Sequence, residues 1–241
     1  MNRTLVTGLV AAAAASACLS AAEPAHALSL RPDLWQTFNS KVNGERNFLQ
    51  DSQLKLLDPQ SLFWNGVDPV DVFFINEGAG YRNQLFYNAN NGTNHLIFND
   101  VSSPNSILPN QDGPLSLGQG QSLGKFVGAT QLGFSIKANG YSDPNGHMYG
   151  SNASTNADGL EHLIAMEYFD QVDNQMYTLL AFEDLFGTKA QGSDRDFNDV
   201  VFAVRGIQQG APSSQVPEPS LMLGILTLTG GALGLRRQAQ E

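Results

Sequence analysis

Seven of the side chains that offer oxygen between positions 183 and 199 are crowded at the two ends of that stretch: Glu183, Asp184, Ser193, Asp194, Asp196, Asn198 and Asp199. Asp194, Asp196 and Asn198 alternate with the spacing by which a tight loop turns several oxygens toward one cation, and calcium takes about six to eight such ligands. Only Lys189 and Arg195 stand inside this stretch, too few to neutralise five carboxylates. The competing reading is an acidic turn whose carboxylates cap backbone N–H groups or pair with those two cations. It is not an EF-hand: Asp199 stands at the sixth place from Asp194, where glycine is needed, and Arg205 at the twelfth, where a bidentate glutamate is needed. With Asp158 a little upstream, the predicted calcium ligands are Asp158, Glu183, Asp184, Asp194, Asp196, Asn198 and Asp199. His162 is left out because calcium prefers oxygen.

The elements that must hold these groups read as β structure. From position 68 the chain alternates short apolar segments with Gly, Asn, Asp and Pro, the pattern of an all-β sandwich or barrel. The expected strands are Val70 to Asn76, Tyr81 to Tyr87, His95 to Asn99, Leu115 to Gly120, Thr130 to Lys137, Leu160 to Phe169, Met176 to Glu183 and Asp199 to Arg205. The fold expected is a two-sheet antiparallel sandwich, jelly-roll-like, over 68–207, with a partly helical N-terminal extension over 28–67. A short helix is expected over Arg46 to Leu57. If the last three strands form an antiparallel meander, the turn at Glu183-Asp184, the start at Asp199 and the region of Asp158 share one rim.

The same residues carry a resemblance. FEDLFGTKAQGSDRDFNDVVF from Phe182 to Phe202, the preceding Asp158-Gly159-Leu160-Glu161-His162 and the stretch Leu115 to Phe134 resemble the bacterial family called domain of unknown function 4114. The resemblance spans Val70 to Gly206 and implies a secreted, β-rich domain that holds calcium. The loop Gly187 to Ser193 is longer and poorer in glycine than in that family, and Ser193 replaces a glycine.

Both ends read as export signals. Arg3, an apolar stretch from Leu5 to Leu19 and Ala25-His26-Ala27 have the layout of a secretory signal peptide over 1–27; a cut before Cys18 would instead make a lipoprotein. After a linker over 208–215, the tail 216–241 holds Pro217-Glu218-Pro219, an apolar run from Leu221 to Leu235 and Arg236-Arg237. At about 1.5 Å per residue the run spans roughly 22 Å, short of the ~30 Å hydrocarbon core. Pro217, Glu218, Pro219, Arg236 and Arg237 resemble the PEP-CTERM sorting signal of Gram-negative bacteria, the alternative being an ordinary membrane tail. The resemblance implies signal peptidase and an exosortase-type protease as processing partners and an inner-membrane-tethered precursor. It also implies final placement at the cell surface or in an exopolysaccharide matrix.

Composition narrows the function further. A formal net charge of −10 and the lack of any Lys/Arg cluster between Leu28 and Gly210 argue against nucleic acid as a partner. The single cysteine, Cys18, excludes disulfides and a Cys-ligated zinc in the mature chain. No G-x-S-x-G or H-E-x-x-H occurs, so no common hydrolase motif is present. The first reading is a non-catalytic, calcium-stabilised surface or matrix module. The second is a carbohydrate-binding module in which calcium bridges protein and sugar. The third is a matrix glycoside hydrolase using Glu167 with Glu183 or Asp184. Trp35, Trp64, Tyr81, Tyr87, Tyr141 and Tyr149 are candidates for a sugar-stacking platform, against core packing or scattered exposure.

Overall fold

The structure, a computed structural model, describes residues 28–42 and 55–211. The expected signal peptide, the sorting tail and most of the expected helix over Arg46 to Leu57 lie outside them. In chain order the elements are β1 (Leu28–Ser29), α1 (Pro32–Val42), β2 (Lys55–Leu57), β3 (Leu62–Trp64), β4 (Val70–Asn76), β5 (Asn83–Ala89) and β6 (His95–Val101). They continue with β7 (Gln119–Gly124), β8 (Leu132–Lys137), β9 (Met148–Gly150), β10 (Leu163–Asp170), β11 (Gln175–Phe182), β12 (Val200–Arg205) and β13 (Ile207–Gln209). A seven-stranded sheet runs β1-β7-β4-β12-β11-β10-β2 and a four-stranded sheet runs β6-β5-β8-β9, while β13 and β3 form a separate pair. All pairings are antiparallel.

The two large sheets close on one core. Val70, Val72 and Phe74 of β4, Leu180 and Phe182 of β11, and Phe202 and Val204 of β12 meet Leu85 of β5 and Phe134 and Ile136 of β8 there. Phe202 stacks on Phe98 at 5.8 Å with 6° between the rings. The intervening residues of the same strands, Phe73, Ile75, Leu179, Ala181, Val201 and Ala203, point to the other face of the seven-stranded sheet. That face is covered by α1, whose Leu34, Phe38 and Val42, spaced four apart, are buried. Pro32 at the first helical position suits a helix start, and Phe38 meets Tyr168 edge-on at 5.0 Å and Tyr177 at 5.7 Å. A sheet covered on both faces explains why β11 and β12 read as continuous apolar runs rather than alternating ones.

The helix described, α1, is not among the elements expected, and of the helix expected over Arg46 to Leu57 only the last three residues are described. Residues 55–57, the described end of the expected helix, form β2, which pairs with β10. Seven of the eight expected strands fall close to β4, β5, β6, β8, β10, β11 and β12, while β1, β3, β9 and β13 lie outside the expected set; the eighth forms as β7 at Gln119–Gly124 rather than Leu115 to Gly120. Leu115 is instead a core anchor ahead of the strand. Among the described residues no helix is long and apolar enough to cross a membrane.

Candidate metal centre

The final meander forms as expected. Leu163 pairs with Phe182, and Phe182 in turn pairs with Val200. The residues that follow β11, precede β12 and precede β10 therefore share one rim. The end of β4 joins them, because Gly78 N–H donates to the carbonyls of Asn198 and Asp199 at 3.1 and 3.3 Å.

The loop from Asp194 to Asp199 coils through two left-handed residues, Arg195 (φ 54°) and Phe197 (φ 56°). Such non-glycine positions are uncommon and cost about 1–2 kcal/mol each. Phe197 is buried in the helix-side core, and the Arg195 guanidinium lies 4.9 Å from the Phe197 ring, donates to the Glu161 carbonyl and exerts its charge on Glu183.

Glu183, Asp194 and Asp196 each place a carboxylate oxygen within 4.8 Å of the others. Glu183 is fully buried and Asp196 is 1% exposed; Asp194 is half-buried. Glu183 Oε1 accepts from the Ser193 hydroxyl at 2.8 Å and Asp196 Oδ1 from the Asn198 amide at 3.2 Å. Among the described residues, Glu183 Oε2 and Asp194 Oδ1 are buried without a hydrogen bond. A buried carboxylate oxygen with no donor is costly, and two of them beside a third acid are a hard-cation donor set.

The other expected ligands have hydrogen-bonded roles nearby. Asp184 Oδ2 accepts from Asn83 Nδ2 at 2.6 Å, and Asp199 Oδ2 accepts from the Asp184 amide at 2.7 Å. Asp158 is occupied differently: it accepts from the amides of Gly187 (2.7 Å) and Leu160 (3.0 Å) and faces His162 Nε2 at 2.9 Å. His162 is fully buried, lies flat on Tyr149 at 3.8 Å and has Nδ1 2.7 Å from the Glu183 carbonyl. Both ring nitrogens thus face oxygen atoms of the rim. Asp158 and His162 clamp the rim.

The protonation of the acids follows from crowding. Burial, then the neighbouring Asp194 charge, raises Glu183. Burial raises Asp184 to about 7, with Glu183, Asp194 and Asp196 adding to it and Asn83 opposing. Burial, then Asp184 and Glu183, raises Asp199 to about 10. Asp158 goes the other way: burial pushes it up, but the Gly187 and Leu160 amides and His162 together pull it down to about 2.

Glu77 belongs to this neighbourhood although the sequence shows it only as part of a turn. It is 1% exposed, its Oε2 has no hydrogen bond among the described residues, and burial raises it to about 8, with the charges of Asp184 and Asp100 adding. Asn83, at the start of β5, is the second contributor that only the fold reveals. An acid directly after the apolar run of β4 is the one local hint of Glu77; nothing local marks Asn83.

The glycosidase pairing does not assemble. Glu167 lies opposite Thr178, five residues before Glu183, which at about 3.3 Å per residue puts the two roughly 16 Å apart along the strand. Carboxylate pairs that cleave glycosides stand about 5–9.5 Å apart, and Glu167 is paired with Lys55 at 3.3 Å. The candidate aromatic platform is dispersed: Tyr149 and Trp64 are buried in the core between the sheets, Trp35 packs on the helix side, and Tyr141 lies under Arg82 at 4.2 Å.

Residues 126–207 match the model of a family described as a domain of unknown function (DUF4114). The match contains the acidic loop, Asp158 and His162, while Glu77 and Asn83 precede it. No curated protein matches the chain. Among solved structures, the chain is similar to a Ralstonia solanacearum high-affinity mannose-binding lectin at 13% identity and a TM-score of 0.30, over 65% of this chain and 96% of the lectin.

Proposed function

We propose that this protein is an exported, non-catalytic surface or matrix module whose β fold is locked by calcium at the rim formed by Glu183, Asp194 and Asp196. The observation that carries the reading is Glu183: fully buried, with one oxygen lacking a hydrogen bond and two further carboxylates within 4.8 Å. The residues present fit a hard cation, since every candidate donor is oxygen. Glu183, Asp194 and Asp196 would hold the ion, with Asp184, Asn198 and Asp199 supporting them. Bound calcium supplies the positive charge that Arg195 alone cannot. Glu183 follows β11 and Asp196 precedes β12, so the ion would tie together two central strands in a chain that, after loss of Cys18, has no thiol to do so.

Export rests on the two terminal segments, and association with exopolysaccharide on the sorting-signal resemblance. The absence of a hydrolase motif and the separation of Glu167 from Glu183 favour a binding or structural role over catalysis. The test is calcium titration by calorimetry into the EDTA-stripped full chain, with Glu183→Gln and Asp196→Asn alongside and circular dichroism as the fold control. One ion per chain, bound at least tenfold more weakly by both variants, is the expected result. Absence of binding, or equal affinity in both folded variants, overturns the reading.

A further inference from the structure

The four-stranded sheet has a second feature, separate from the acidic rim. Along β5 the residues Leu85, Tyr87 and Ala89 face the core, so Gln84, Phe86 and Asn88 face outward. On β8 the outward residues are Gly133, Ser135 and Lys137, and on β9 they are Met148 and Gly150. Register places Asn88 beside Gly133, Phe86 beside Ser135, and Ser135 beside Gly150. Two neighbouring outward positions on adjacent strands therefore carry no side chain, and a hollow opens where a sheet surface would ordinarily be filled. The cavity there measures about 340 Å³.

Its walls are fixed before any ligand arrives. The loop after β9 folds back over the hollow because Asn156 accepts from the Gly150 amide at 2.9 Å and donates to the carbonyls of Gly150 and Leu160 at 3.2 and 2.8 Å. On the opposite side Asn88 donates to Asn94 at 3.1 Å. The lining is made of amides, hydroxyls, glycines, one methionine and one phenylalanine, and no residue in it carries a charge. Ser135 is 8% exposed, and neither its Oγ nor Asn88 Oδ1 makes a hydrogen bond among the described residues.

We infer that this hollow is a binding site for a neutral carbohydrate, and that sugar is held here without contact to the acidic rim. A neutral, pre-formed, amide-rich cavity matches vicinal hydroxyls, each of which both donates and accepts, and unpaired Ser135 Oγ and Asn88 Oδ1 are acceptors for them. A cavity of this size falls at the lower end of small-molecule sites, enough for one or two sugar units of a longer chain. Phe86, outward-facing and paired in register with the lining residue Ser135, offers an apolar surface for a ring face. An anionic polymer finds no cation in the lining, the adjacent Lys137 donating to the Pro144 carbonyl, and the net charge of −10 opposes its approach. This inference does not depend on calcium being bound.

The test is affinity electrophoresis of the full chain in gels containing dextran, galactomannan or xyloglucan, with dextran sulfate as the charged counterpart. At least one neutral polymer is expected to retard the protein and dextran sulfate is not. Gly150→Val fills the hollow at little structural cost: an added Cβ meets nothing closer than 3.5 Å, and valine suits a strand. It should abolish retardation while leaving the melting temperature unchanged, and Ser135→Ala should weaken retardation about threefold or more. Retardation should persist in Asp194→Asn. No retardation by any neutral polymer, stronger retardation by dextran sulfate, or unchanged retardation of folded Gly150→Val overturns the inference. Retardation lost in Asp194→Asn but kept in Gly150→Val overturns it too, and moves the sugar to the acidic rim. Calcium titration of Gly150→Val, expected to match the wild type, keeps this outcome separate from that of the metal site.

Discussion

Replacing Asp194 by asparagine should stabilise the protein without calcium and destabilise it with calcium. The oxygens of Glu183, Asp194 and Asp196 lie within 4.8 Å of one another, and two unit charges at that separation repel by about 3.5 kcal/mol at an effective dielectric near 20. Asp194 is half-buried, so solvent screens part of this, and burial already biases Glu183 toward its protonated form. What the substitution recovers in EDTA is therefore about 1–2 kcal/mol. For a chain of this size that corresponds to a rise of about 2–8 °C in melting temperature. No hydrogen bond to Asp194 Oδ1 is lost in exchange. With calcium at a hundred times its dissociation constant the wild type gains about 2.7 kcal/mol, roughly 5–11 °C, and the variant most of this loses. Scanning calorimetry of both proteins in EDTA and in calcium reads the crossing directly. If Asp194→Asn melts lower than wild type in EDTA by as much as it does in calcium, the loop is held by ordinary hydrogen bonds and the repulsion argument fails.

Proton linkage gives a second check. Glu77 and Asp184 are raised by burial to about 8 and about 7, whereas unfolded carboxylates titrate near pH 4. The folded state binds more protons between those limits, so this stability is complete below about pH 4 and is lost as pH rises through about 7–8. In EDTA the melting temperature should therefore drop between about pH 5.5 and pH 8, and calcium should remove the drop; a rise over that interval contradicts the assignment. Phe202→Ala removes a fully buried ring packed on Phe98 and Phe74 and should cost about 3–5 kcal/mol, read as a shift of the urea midpoint. Gly206→Ala, at φ 81° with the new Cβ 2.3 Å from the Pro69 carbonyl oxygen, should cost well over about 2 kcal/mol. Gly159→Ala, at φ 71° in open space, should cost only about 1 kcal/mol by the same urea assay.

The parts of the fold that were legible are those whose pattern is set locally. β4 and β12 stand at Val70–Asn76 and Val200–Arg205 because an apolar run bounded by turn residues has one good use in a β domain. β7, Gln-Gly-Gln-Ser-Leu-Gly, has no such pattern; it is a strand because β1 and β4 pair with it, and neither partner is adjacent in sequence. α1 was missed because three anchors, Leu34, Phe38 and Val42, make a narrow apolar stripe in an otherwise polar segment, and what fixes it is the ring packing of Phe38 on Tyr168 and Tyr177. In the acidic centre, Glu183, Asp194 and Asp196 were visible as a local motif. Glu77 and Asn83 were not, since they arrive from β4 and β5 across more than a hundred residues. Asp158 was visible as an acid near the rim, but its commitment to His162 and to the Gly187 and Leu160 amides depends on how the chain returns at the start of β10.

The covering of the seven-stranded sheet by α1 also has a kinetic consequence. Arg31, just before the helix, is held by Asp170, 139 residues away, and Arg205 closes β12 onto Asp71 across 134 residues. Helix α1, near the start of the described residues, has its aromatic partners on β10 and β11, and the central strand β4 lacks its neighbour β12 until nearly the whole domain exists. Contacts of such sequence separation make folding slow and leave the seven-stranded sheet incomplete until β10, β11 and β12 exist. A seven-stranded sheet built this way stays open until its last strands arrive, a condition that suits the export proposed above, since a translocation channel takes an unfolded chain.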